Sequence, residues 1–345
     1  MTRHSAPSLQ RWTAEVLGAC GLPPQDAQQA ATLLVRSELR GLSTHGLTRL
    51  PSYVQRLKEG DFNARPQLRH RSFAGGIVLD ADGAMGHVAG PFAVQLAKQA
   101  LESTASVIVA VQSCGHLGAL GIHALLAAEA GLFCMVGQRT PPLLSLEGFK
   151  AAAIGHNPIA FACPVPGEAP LVFDVACSVA ARGHVLAAAR DGHDIPEGWA
   201  VDADGQATTD PSAALEGALL PMGGHKGLGL AMMVECLAGG LAATAASFEA
   251  PANEIPKSGA MSRQGAFLWA VRPGAFAQDG QFDAYAAHWV SEFRGRGGDA
   301  ARLPGQRAAR LEQQNLELGI ELAPALLKDL RSLGERMQLP LVDGN

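Results

Sequence analysis

The stretch ELRGLSTHGLTRLP, residues 38–51, places a histidine and an arginine four positions apart. If the chain continues there as a helical turn, His45 and Arg49 project from one face. The forked guanidinium of Arg49 could then hold a carboxylate, while His45 contacts a reacting oxygen or nitrogen and Thr44 orients the imidazole. A solvated helix end, capped by Ser43 or Thr44, explains the same residue types. Both interpretations are open at this point.

A second segment with chemical potential is CGHLGALG, residues 114–121, between a predicted strand and a predicted helix. Its three glycines allow close backbone approach at a helix N-terminus, where free N–H groups favour a phosphate or a carboxylate. Glycines at such a turn also serve packing alone, and the GxxGxxG spacing differs from the dinucleotide fingerprint GxGxxG. His116, at the mouth of this loop, could donate a proton at neutral pH.

The stretch LPMGGHKGLGL, residues 220–230, places His225 and Lys226 between glycine pairs at the start of an apolar helix. A lysine in that position suits a phosphate or a nicotinamide ribose. Four other polar residues lie beside predicted buried strands and are possible site groups: His156, Asn157, Arg182 and His184. The sequence has no GxSxG, GxxxxGK[ST], HExxH or EF-hand pattern, which disfavours several hydrolase, nucleotidase and calcium-binding classes.

Composition narrows the class of ligand. At 345 residues and 48% hydrophobic, the chain can bury a large core. Its formal net charge of −5 does not attract a polyanion, so we expect a small ligand and no nucleic acid.

Six cysteines without a CxxC pair favour a reducing, cytoplasmic location. The apolar run from Gly227 to Phe248 contains Glu235, so we expect a buried helix and no membrane span.

Strands and helices alternate from Ile77 onward, which is typical of an α/β fold. The alternating segments are GIVLDAD, PFAVQLAKQALE, SVIVAVQ, LGIHALLAAEAG and LFCMVG. Two helices precede them, and Asp26 is the expected N-cap of the second, which Gly41 ends. Further along, Asp210 is the expected cap of a short helix, PANEIPKSG is a linker, and two helices around 284–294 and 323–337 close the chain.

Five motifs, in order, resemble the type 2 malate/L-lactate dehydrogenase family. They are RGLSTHGLTRLPSYVQRL, GHLGALG, IGHNPIAFACP, IPEGWAVDADGQATTDPSAAL and LLPMGGHKGLGLAMMVE. That family also contains ureidoglycolate and sulfolactate dehydrogenases and Δ1-piperideine-2-carboxylate/Δ1-pyrroline-2-carboxylate reductases. The resemblance covers nearly the whole chain.

The resemblance implies an α/β fold whose cofactor-binding sheet is not a Rossmann sheet, with a helical domain built from both termini. The implied domains are 1–75 with 305–345 (helical), 76–115 with 280–304 (a small middle domain) and 116–279 (NAD(P)-binding). It also implies a homodimer and hydride exchange between NAD or NADP and C2 of a 2-oxo acid or a cyclic 2-imino acid.

Site residues follow from the same resemblance. Catalytic roles are implied for His45 or His116, with Thr44 and His184 beside them, and substrate contacts for Arg49, His156, Arg182 and Gly183. The implied cofactor contacts are His116, Leu117, Gly118, Ala119, Leu120, Asp174, Val175, Ala176, His225, Lys226, Arg302, Leu303, Pro304 and Gly305.

Three positions depart from the family pattern. Thr44 replaces a serine, His156 replaces a threonine, and His184 replaces the aspartate that serves as a relay in the reductase branch. A histidine brings no fixed negative charge, so it cannot stabilise an imidazolium as a carboxylate does. If the family fold is kept, His45, His116, His156 and His184 would all face one pocket.

Such a pocket suggests two uses for the imidazoles. They could hydrogen-bond a polyanionic substrate, or they could bind a divalent metal, either as a Lewis acid on a 2-oxo acid or as a non-redox site in a descendant that has lost dehydrogenase activity. We favour the former and assign no metal ligands, because no HxH or HxxxH spacing supports chelation. The leading prediction is a 2-oxo/2-hydroxy acid oxidoreductase, and the alternative is a cyclic imino acid reductase.

Overall fold

The computed structural model describes residues 3–243, 264–278 and 280–341. The helices in these ranges are α1 (Ala6–Ala19), α2 (Pro24–Leu39), α3 (Leu50–Glu59), α4 (Gly86–Ala100), α5 (Leu120–Ala128), α6 (Arg182–Asp191), α7 (Pro211–Glu216), α8 (His225–Val234), α9 (Gln281–Gly297), α10 (Gln306–Leu318) and α11 (Pro324–Met337). The strands are β1 (Arg3–His4), β2 (Arg69–Phe73), β3 (Gly76–Asp80), β4 (Ser106–Cys114), β5 (Phe133–Gln138), β6 (Pro142–Leu144), β7 (Ile154–Gly155), β8 (Ile159–Cys163), β9 (Leu171–Val175), β10 (Ala200–Val201), β11 (Ala207–Thr208), β12 (Ala218–Leu219), β13 (Gln264–Val271) and β14 (Ile320–Glu321).

The two ends of the chain form one helical unit, as the resemblance implied. Strand β1 pairs antiparallel with β14, and α1 packs against both α2 and α11. The indole Nε1 of Trp12 donates to the carbonyl of Leu339 at 2.8 Å. Buried leucines on α1, α2 and α11 extend this packing into the main core, so the N-terminal helices are held in place by the C-terminal ones.

A seven-stranded sheet forms the centre of the molecule, in the order β2-β3-β4-β13-β5-β8-β9. Its one parallel pair is β3 with β4, and the other neighbours run antiparallel. A doubly wound Rossmann sheet is parallel, so this topology is of a different kind, as expected. Strand β13 comes late in the chain yet inserts between β4 and β5, which the alternation of strands and helices did not predict.

A smaller sheet has the order β11-β10-β12-β6-β7 and encloses its own core, which includes Leu144, Val185, Ile195 and Leu219. The seven-stranded sheet takes strands from the predicted middle domain and the predicted NAD(P)-binding domain, and its edge strand β2 comes from the predicted helical domain. The domain limits at 115 and 279 therefore stay a prediction.

Helix capping agrees with the sequence-based prediction at α7 and differs from it at α2. Asp210 caps α7, because its Oδ1 accepts from the amide of Ser212 at 2.8 Å. Helix α2, by contrast, begins at Pro24 with Pro23 as its N-cap, so the expectation that Asp26 is the cap is wrong. Asp26 lies in the first turn, where a negative charge favours the helix dipole. Helix α10 was not predicted.

The expected buried helix from Gly227 is also corrected. Helix α8 continues into a π-helix, Glu235–Gly240, and buries a stripe of small side chains while Met232, Met233 and Leu241 are exposed. The end of that run and the PANEIPKSG linker lie outside the described residues. Across the described ranges, no helix is long and apolar enough to cross a lipid bilayer.

Candidate active site

The residues of the ELRGLSTHGLTRLP stretch form two short 3-10 turns, Ser43–His45 and Leu47–Arg49, instead of the single helical turn we expected. The Nε of Arg49 donates to the carbonyl of Thr44 at 2.7 Å. The hydroxyl of Thr44 lies 3.0 Å from Nδ1 of His45, as the orienting role predicted for this threonine requires. His45 and Arg49 are thus tied to the same loop segment.

This loop is organised around the buried carboxylate of Glu38, which sequence reasoning missed. Glu38 is 5% exposed and lies in the last turn of α2. Its Oε1 accepts from the amide of Leu47 at 2.7 Å, and further hydrogen bonds come from Ser43 and Thr48. Burial raises the pKa of Glu38, and these hydrogen bonds oppose that rise. The only sequence signal was an acidic residue ending a helix just before a polar loop.

Glycine at position 46 is needed for this arrangement. A Cβ added there would lie 2.5 Å from Oε1 of Glu38, which is closer than real Cβ contacts. The polar residues of this loop therefore have two separate roles. Some of its hydrogen-bonding groups satisfy Glu38, and His45 and Arg49 are left to face outward.

His116, from the loop after β4, stacks against His45 with ring centroids 5.8 Å apart. Its Nδ1 lies 2.8 Å from the phenol oxygen of Tyr53, which is 2% exposed on α3. Tyr53 was also missed, although it follows Arg49 by four residues at the spacing of one helix face. Because Nδ1 is engaged by Tyr53, Nε2 is the nitrogen of His116 that can reach a substrate.

His156 follows β7 and is near enough to His45 and His116 to interact with them electrostatically. Its Nδ1 lies 3.0 Å from the hydroxyl of Thr140, and its charge interacts with the other two imidazoles. Burial, with added repulsion from neighbouring cations, lowers the pKa of His45 and of His156 to about 4 and that of His116 well below 6.5. All three imidazoles are therefore neutral at pH 7 in the ligand-free protein.

The fourth histidine of the expected pocket lies on helix α6. Arg182, Gly183 and His184 form the first turn of α6, and the ring of His184 packs against Trp199 with centroids 6.2 Å apart. Arg182 lines a small cavity in the unit built on the five-stranded sheet, together with Pro142 and Val185. His45 and His116 are in ring contact with each other, while His184 contacts Trp199, and the expectation that four histidines face one pocket stays a prediction. Among the described residues, no three His, Cys, Asp or Glu side chains are grouped to hold a metal ion.

The four predicted cofactor segments meet around β9. The amide of Gly121 donates to Oδ2 of Asp174 at 2.7 Å, which joins the GHLGALG loop to this strand. The amide of Val172 donates to the carbonyl of Pro304 at 3.1 Å, which brings in Arg302–Gly305. The carbonyl of Cys177, just after β9, accepts from Met222 at 2.9 Å and so brings in the His225–Lys226 turn.

The two glycine-rich turns, at the starts of α5 and α8, differ in the groups that they present to an anion. At the start of α5, Asp174 already supplies a carboxylate, and the amide of Leu117 donates to Gln138 at 2.9 Å. At the start of α8, Gly223 and Gly224 have φ of 58° and 61°, and the two basic residues that follow are exposed. The amides of Gly224 and Gly227 already donate to the carbonyls of Pro221 and Met222, so what this turn presents to an anion is the two exposed basic side chains at the start of a helix.

A buried hydroxyl supports an anion site at the start of α8. Ser178 bridges to Pro221, and its Oγ is buried with no hydrogen-bond partner in the described part of the chain. An unpaired buried hydroxyl is costly, so a phosphate beside it would satisfy a group that the protein itself does not. The residues at this turn therefore fit the phosphate of a dinucleotide.

Two more histidines lie beneath the pocket and were not predicted as site residues. His87 packs edge-on against Tyr53, with centroids 5.4 Å apart, and lies 6.3 Å from His123. Burial, followed by repulsion from His123 and His45, lowers the pKa of His87 to about 3. Gly118, at φ +75°, leaves room for His87, because a Cβ there would lie 2.7 Å from Nε2 of that ring.

Comparison with known proteins places these features in a family. The sequence matches the malate/L-lactate dehydrogenase family over residues 4–331. It is 35% identical over 322 residues to (2R)-3-sulfolactate dehydrogenase (NADP(+)) of Chromohalobacter salexigens, covering 92% of this chain and 93% of that protein. It is 36% identical over 323 residues to Δ1-pyrroline-2-carboxylate reductase of Pseudomonas fluorescens, covering 92% and 95%.

The fold agrees with the sequence comparison. Sulfolactate dehydrogenase from Methanocaldococcus jannaschii superposes with a TM-score of 0.88 at 29% identity, covering 99% of this chain and 98% of that one. The chain therefore belongs to the malate/L-lactate dehydrogenase family, a family of oxidoreductases. This result confirms the family resemblance of the five motifs.

The buried imidazoles predict how stability depends on pH. Below pH about 6.5 the unfolded chain binds a proton at a histidine whose pKa is depressed in the folded protein, and the folded protein does not. Each such histidine lowers the free energy of unfolding by about 1.4 kcal/mol per pH unit in that range. The free energy of unfolding should therefore be greatest above that pH and fall as the pH drops toward the folded pKa, about 3 for His87. His87→Gln should reduce the slope of the free energy of unfolding against pH by up to the contribution of one bound proton.

Urea unfolding from about pH 7.5 to about pH 4.5 measures this slope. His70→Gln is the matched control, because His70 is exposed on β2. An unchanged slope in His87→Gln would show that His87 takes up its proton in the folded protein as readily as in the unfolded one.

Proposed function

We propose that this protein is an NAD(P)-dependent oxidoreductase that exchanges a hydride with C2 of a small 2-oxo/2-hydroxy acid. The observation that carries the proposal is the stacked pair His45 and His116 beside Arg49. The loop of His116 is joined to β9, around which the predicted cofactor segments meet. In these roles a proton-transfer group and a carboxylate-binding group would lie together, which is what the reaction requires of the protein.

Arg49 would bind the substrate carboxylate. Its Nε is engaged by the carbonyl of Thr44, which leaves the two terminal nitrogens of the guanidinium for the two carboxylate oxygens. A carboxylate held there lies on the loop that also carries His45. The position of the carboxylate then orients C2 and its oxygen relative to the histidine cluster.

His116 would move the proton, with His45 as the second candidate. A neutral His116 can accept the hydroxyl proton of a 2-hydroxy acid at Nε2, and an imidazolium can return it to a carbonyl. Tyr53 suits both states, because each carries a proton on Nδ1 and the phenol oxygen can accept a hydrogen bond from it. His45 has a comparable partner in the hydroxyl of Thr44.

NAD or NADP supplies or receives the hydride when bound. Lys226, His225 and the turn before them would hold a phosphate, with Ser178 as a further donor. Asp174–Ala176 and Arg302–Gly305 would line the rest of the site along β9. The relative from Chromohalobacter salexigens is named for NADP(+), and either nucleotide suits the basic turn.

Cyclic imino acid reduction is the second candidate, because a relative 36% identical is named Δ1-pyrroline-2-carboxylate reductase. The same arginine would bind the ring carboxylate, and the same histidine would protonate the ring nitrogen. His184 stands where the reductase branch has its relay aspartate, and a histidine brings no fixed negative charge to that position. We therefore rank the 2-oxo acid first.

A substrate panel tests the proposal. Initial rates of NADH and NADPH oxidation should be measured with pyruvate, oxaloacetate, longer and sulfonated 2-oxo acids, and both cyclic imino acids. We expect a rate on at least one 2-oxo acid that exceeds the rate on either imino acid by about tenfold or more. A rate on the imino acids alone would replace the proposal by the second candidate, and no rate with any compound would contradict both.

Arg49→Ala should raise KM for the acid about 10- to 100-fold, because it removes a charge-assisted pair of hydrogen bonds. The Kd for NAD(P)H, followed by fluorescence, should stay within about twofold. Arg49→Lys keeps the charge without the fork and should give an intermediate KM. Arg65→Ala, at an exposed arginine, is the control. If KM and Kd change together, Arg49 does not have the role proposed here.

We also propose that the protein acts as a homodimer, as the family resemblance implies. Helix α9 exposes Tyr285, Trp289 and Phe293 along one face, at 70%, 43% and 41%. A row of aromatic rings crosses the central sheet from Trp269 through Phe133 and Phe161 to Phe173, with neighbouring centroids 5.7 to 6.5 Å apart. A single chain rarely exposes this much aromatic surface, and a second copy would cover it.

Trp289→Glu should weaken this dimer, because an interface carboxylate loses its water without gaining a partner. Sedimentation velocity over a range of protein concentrations should show a dimer for the unmodified protein and a larger monomer fraction for the variant. Phe73→Glu, at an exposed aromatic residue on β2, provides the control. A monomeric unmodified protein, or equal dissociation of both variants, would contradict the proposed interface.

A further inference from the structure

The loop that carries His116 leaves the central sheet at a bend. The pairing of β4 with β13 shifts register between Gln264 and Ala266, and Ser113 has φ of +51°, an unusual value for a residue other than glycine. Irregularities of this kind bend a strand and are common beside active sites, where they redirect a side chain. Strand β4 ends at Cys114, so the backbone groups that follow must find hydrogen-bond partners outside the ladder.

The side chain of Gln138 supplies two of those partners. Gln138 ends β5 and is 1% exposed. Its Nε2 donates to the carbonyl of Gly115 at 3.0 Å, and its Oε1 accepts from the amide of Leu117 at 2.9 Å. This carbonyl and this amide belong to the two peptide units that His116 shares with its neighbours. One side-chain amide therefore holds the backbone on both sides of the histidine.

The orientation of the Gln138 amide follows from its partners. A backbone carbonyl only accepts and a backbone amide only donates, so Nε2 must face Gly115 and Oε1 must face Leu117. The reversed amide would lose both hydrogen bonds and would set donor against donor and acceptor against acceptor. The sulfur of Cys114 lies 3.6 Å from Nε2 as a further, weak acceptor. The pair of hydrogen bonds thus exists in one form only.

Other hydrogen bonds hold the loop further from His116. The amide of Gly115 donates to the carbonyl of Ala84 at 2.8 Å, and Nε2 of His123 donates to the carbonyl of Leu117 at 2.7 Å. Both bonds engage the next peptide units along the chain. Because a glycine rotates easily about its backbone torsions, these outer bonds alone do not fix the two peptide units of the histidine.

The position of the His116 ring depends on this backbone. Tyr53 lies 2.8 Å from Nδ1, and the ring of His45 stacks on the imidazole. A ring that is held at one nitrogen still pivots about that contact when its Cα moves. Gly86 leaves room for the carbonyl of His116, because a Cβ there would lie 2.2 Å from that oxygen. The packing permits this backbone position, and the hydrogen bonds of Gln138 select it.

We infer that Gln138 is a positioning residue for proton transfer: by holding the two peptide units of His116, it fixes where Nε2 of the imidazole lies relative to a substrate carboxylate at Arg49. The inference rests on the proposed function, because it takes His116 as the group that moves the proton. Gln138 is buried and acts through His116, which is partly exposed. A displacement of about 1 Å can lower a rate about 100-fold, so the position of this backbone affects the reaction.

Gln138→Met is the first test. Methionine fills a similar volume without either hydrogen bond, so it leaves little room for a water to replace the amide. With NAD(P)H and the 2-oxo acid both saturating, we expect the single-turnover rate of NAD(P)H oxidation to fall about 10- to 100-fold. KM for the acid should change by less than about threefold, because Glu38 holds the loop of Arg49 separately.

Ser145→Ala is the matched control for a general loss of stability. Ser145 is also 1% exposed, and its Oγ donates to the carbonyl of Ala151 at 3.1 Å in the unit built on the five-stranded sheet. Urea unfolding gives the stability that each variant loses. The single-turnover rate of Ser145→Ala should stay within about twofold of the unmodified rate. Equal losses of rate in the two variants would overturn the inference.

Gln138→Glu gives a pH readout that simple destabilisation would not. A protonated carboxyl group has one donor and one acceptor and can form both hydrogen bonds, whereas a carboxylate opposes the carbonyl of Gly115. The ratio of its single-turnover rate to the unmodified rate should be within about threefold of one at about pH 5.5 and fall about tenfold by about pH 9, because burial raises the pKa of the introduced carboxyl group. The ratio for Gln138→Met should be low at every pH. A ratio for Gln138→Glu that is constant or rises with pH would contradict the inference.

Crystal structures without substrate separate this inference from the proposed function. In Gln138→Met the ring of His116 should move by about 1 Å or more and lose its contact with Tyr53, while Arg49 stays in place. An unmoved ring would overturn the inference even if the rate falls. An unmodified protein that is inactive on the whole substrate panel would overturn the proposed function, and these structures would still show whether Gln138 positions His116.

Discussion

The arrangement of the candidate active site depends on one buried carboxylate, that of Glu38. A carboxylate removed from water costs several kcal/mol unless donors surround it, and each hydrogen bond to a charged group returns about 1.5–3 kcal/mol. The chain provides those donors from Ser43, Leu47 and Thr48 by forming two 3-10 turns instead of a helix. The same turns set the positions of His45 and Arg49, so the cost of burying Glu38 and the geometry of the site are linked.

The electrostatics of the site follow from burial. Burial lowers the pKa of His45 and His116, and the charge of Arg49 lowers both further. The ligand-free site is thus a set of neutral imidazoles beside a guanidinium, which suits an anionic ligand. A bound carboxylate offsets the charge of Arg49 and would raise the pKa of its neighbours, so the substrate itself moves the proton-transfer group toward the working pH.

Sequence patterns pointed to the candidate acting residues and missed the residues that hold them in place. His45, Arg49 and His116 stand out because polar groups interrupt apolar segments at regular spacings. Glu38 and Tyr53 look like ordinary helix residues, and their importance appears only when a loop folds back on them. The position of β13 depends on a pairing between strands more than a hundred residues apart, which local periodicity does not contain. The contact of His184 with Trp199 is likewise set by the packing of α6, which local sequence patterns do not contain.

Two buried side chains anchor the two histidine loops of the site in the same way. Glu38 organises the loop of His45 and Arg49, and Gln138 holds the loop that carries His116. In each case a glycine, Gly46 or Gly86, leaves the space for a close contact. An apolar side chain could fill either position, but it would leave the backbone donors unpaired, and buried unpaired donors cost more than the hydrogen bonds contribute. Glu38 and Gln138 are therefore structural requirements of the candidate site, whose proposed acting groups are uncharged imidazoles.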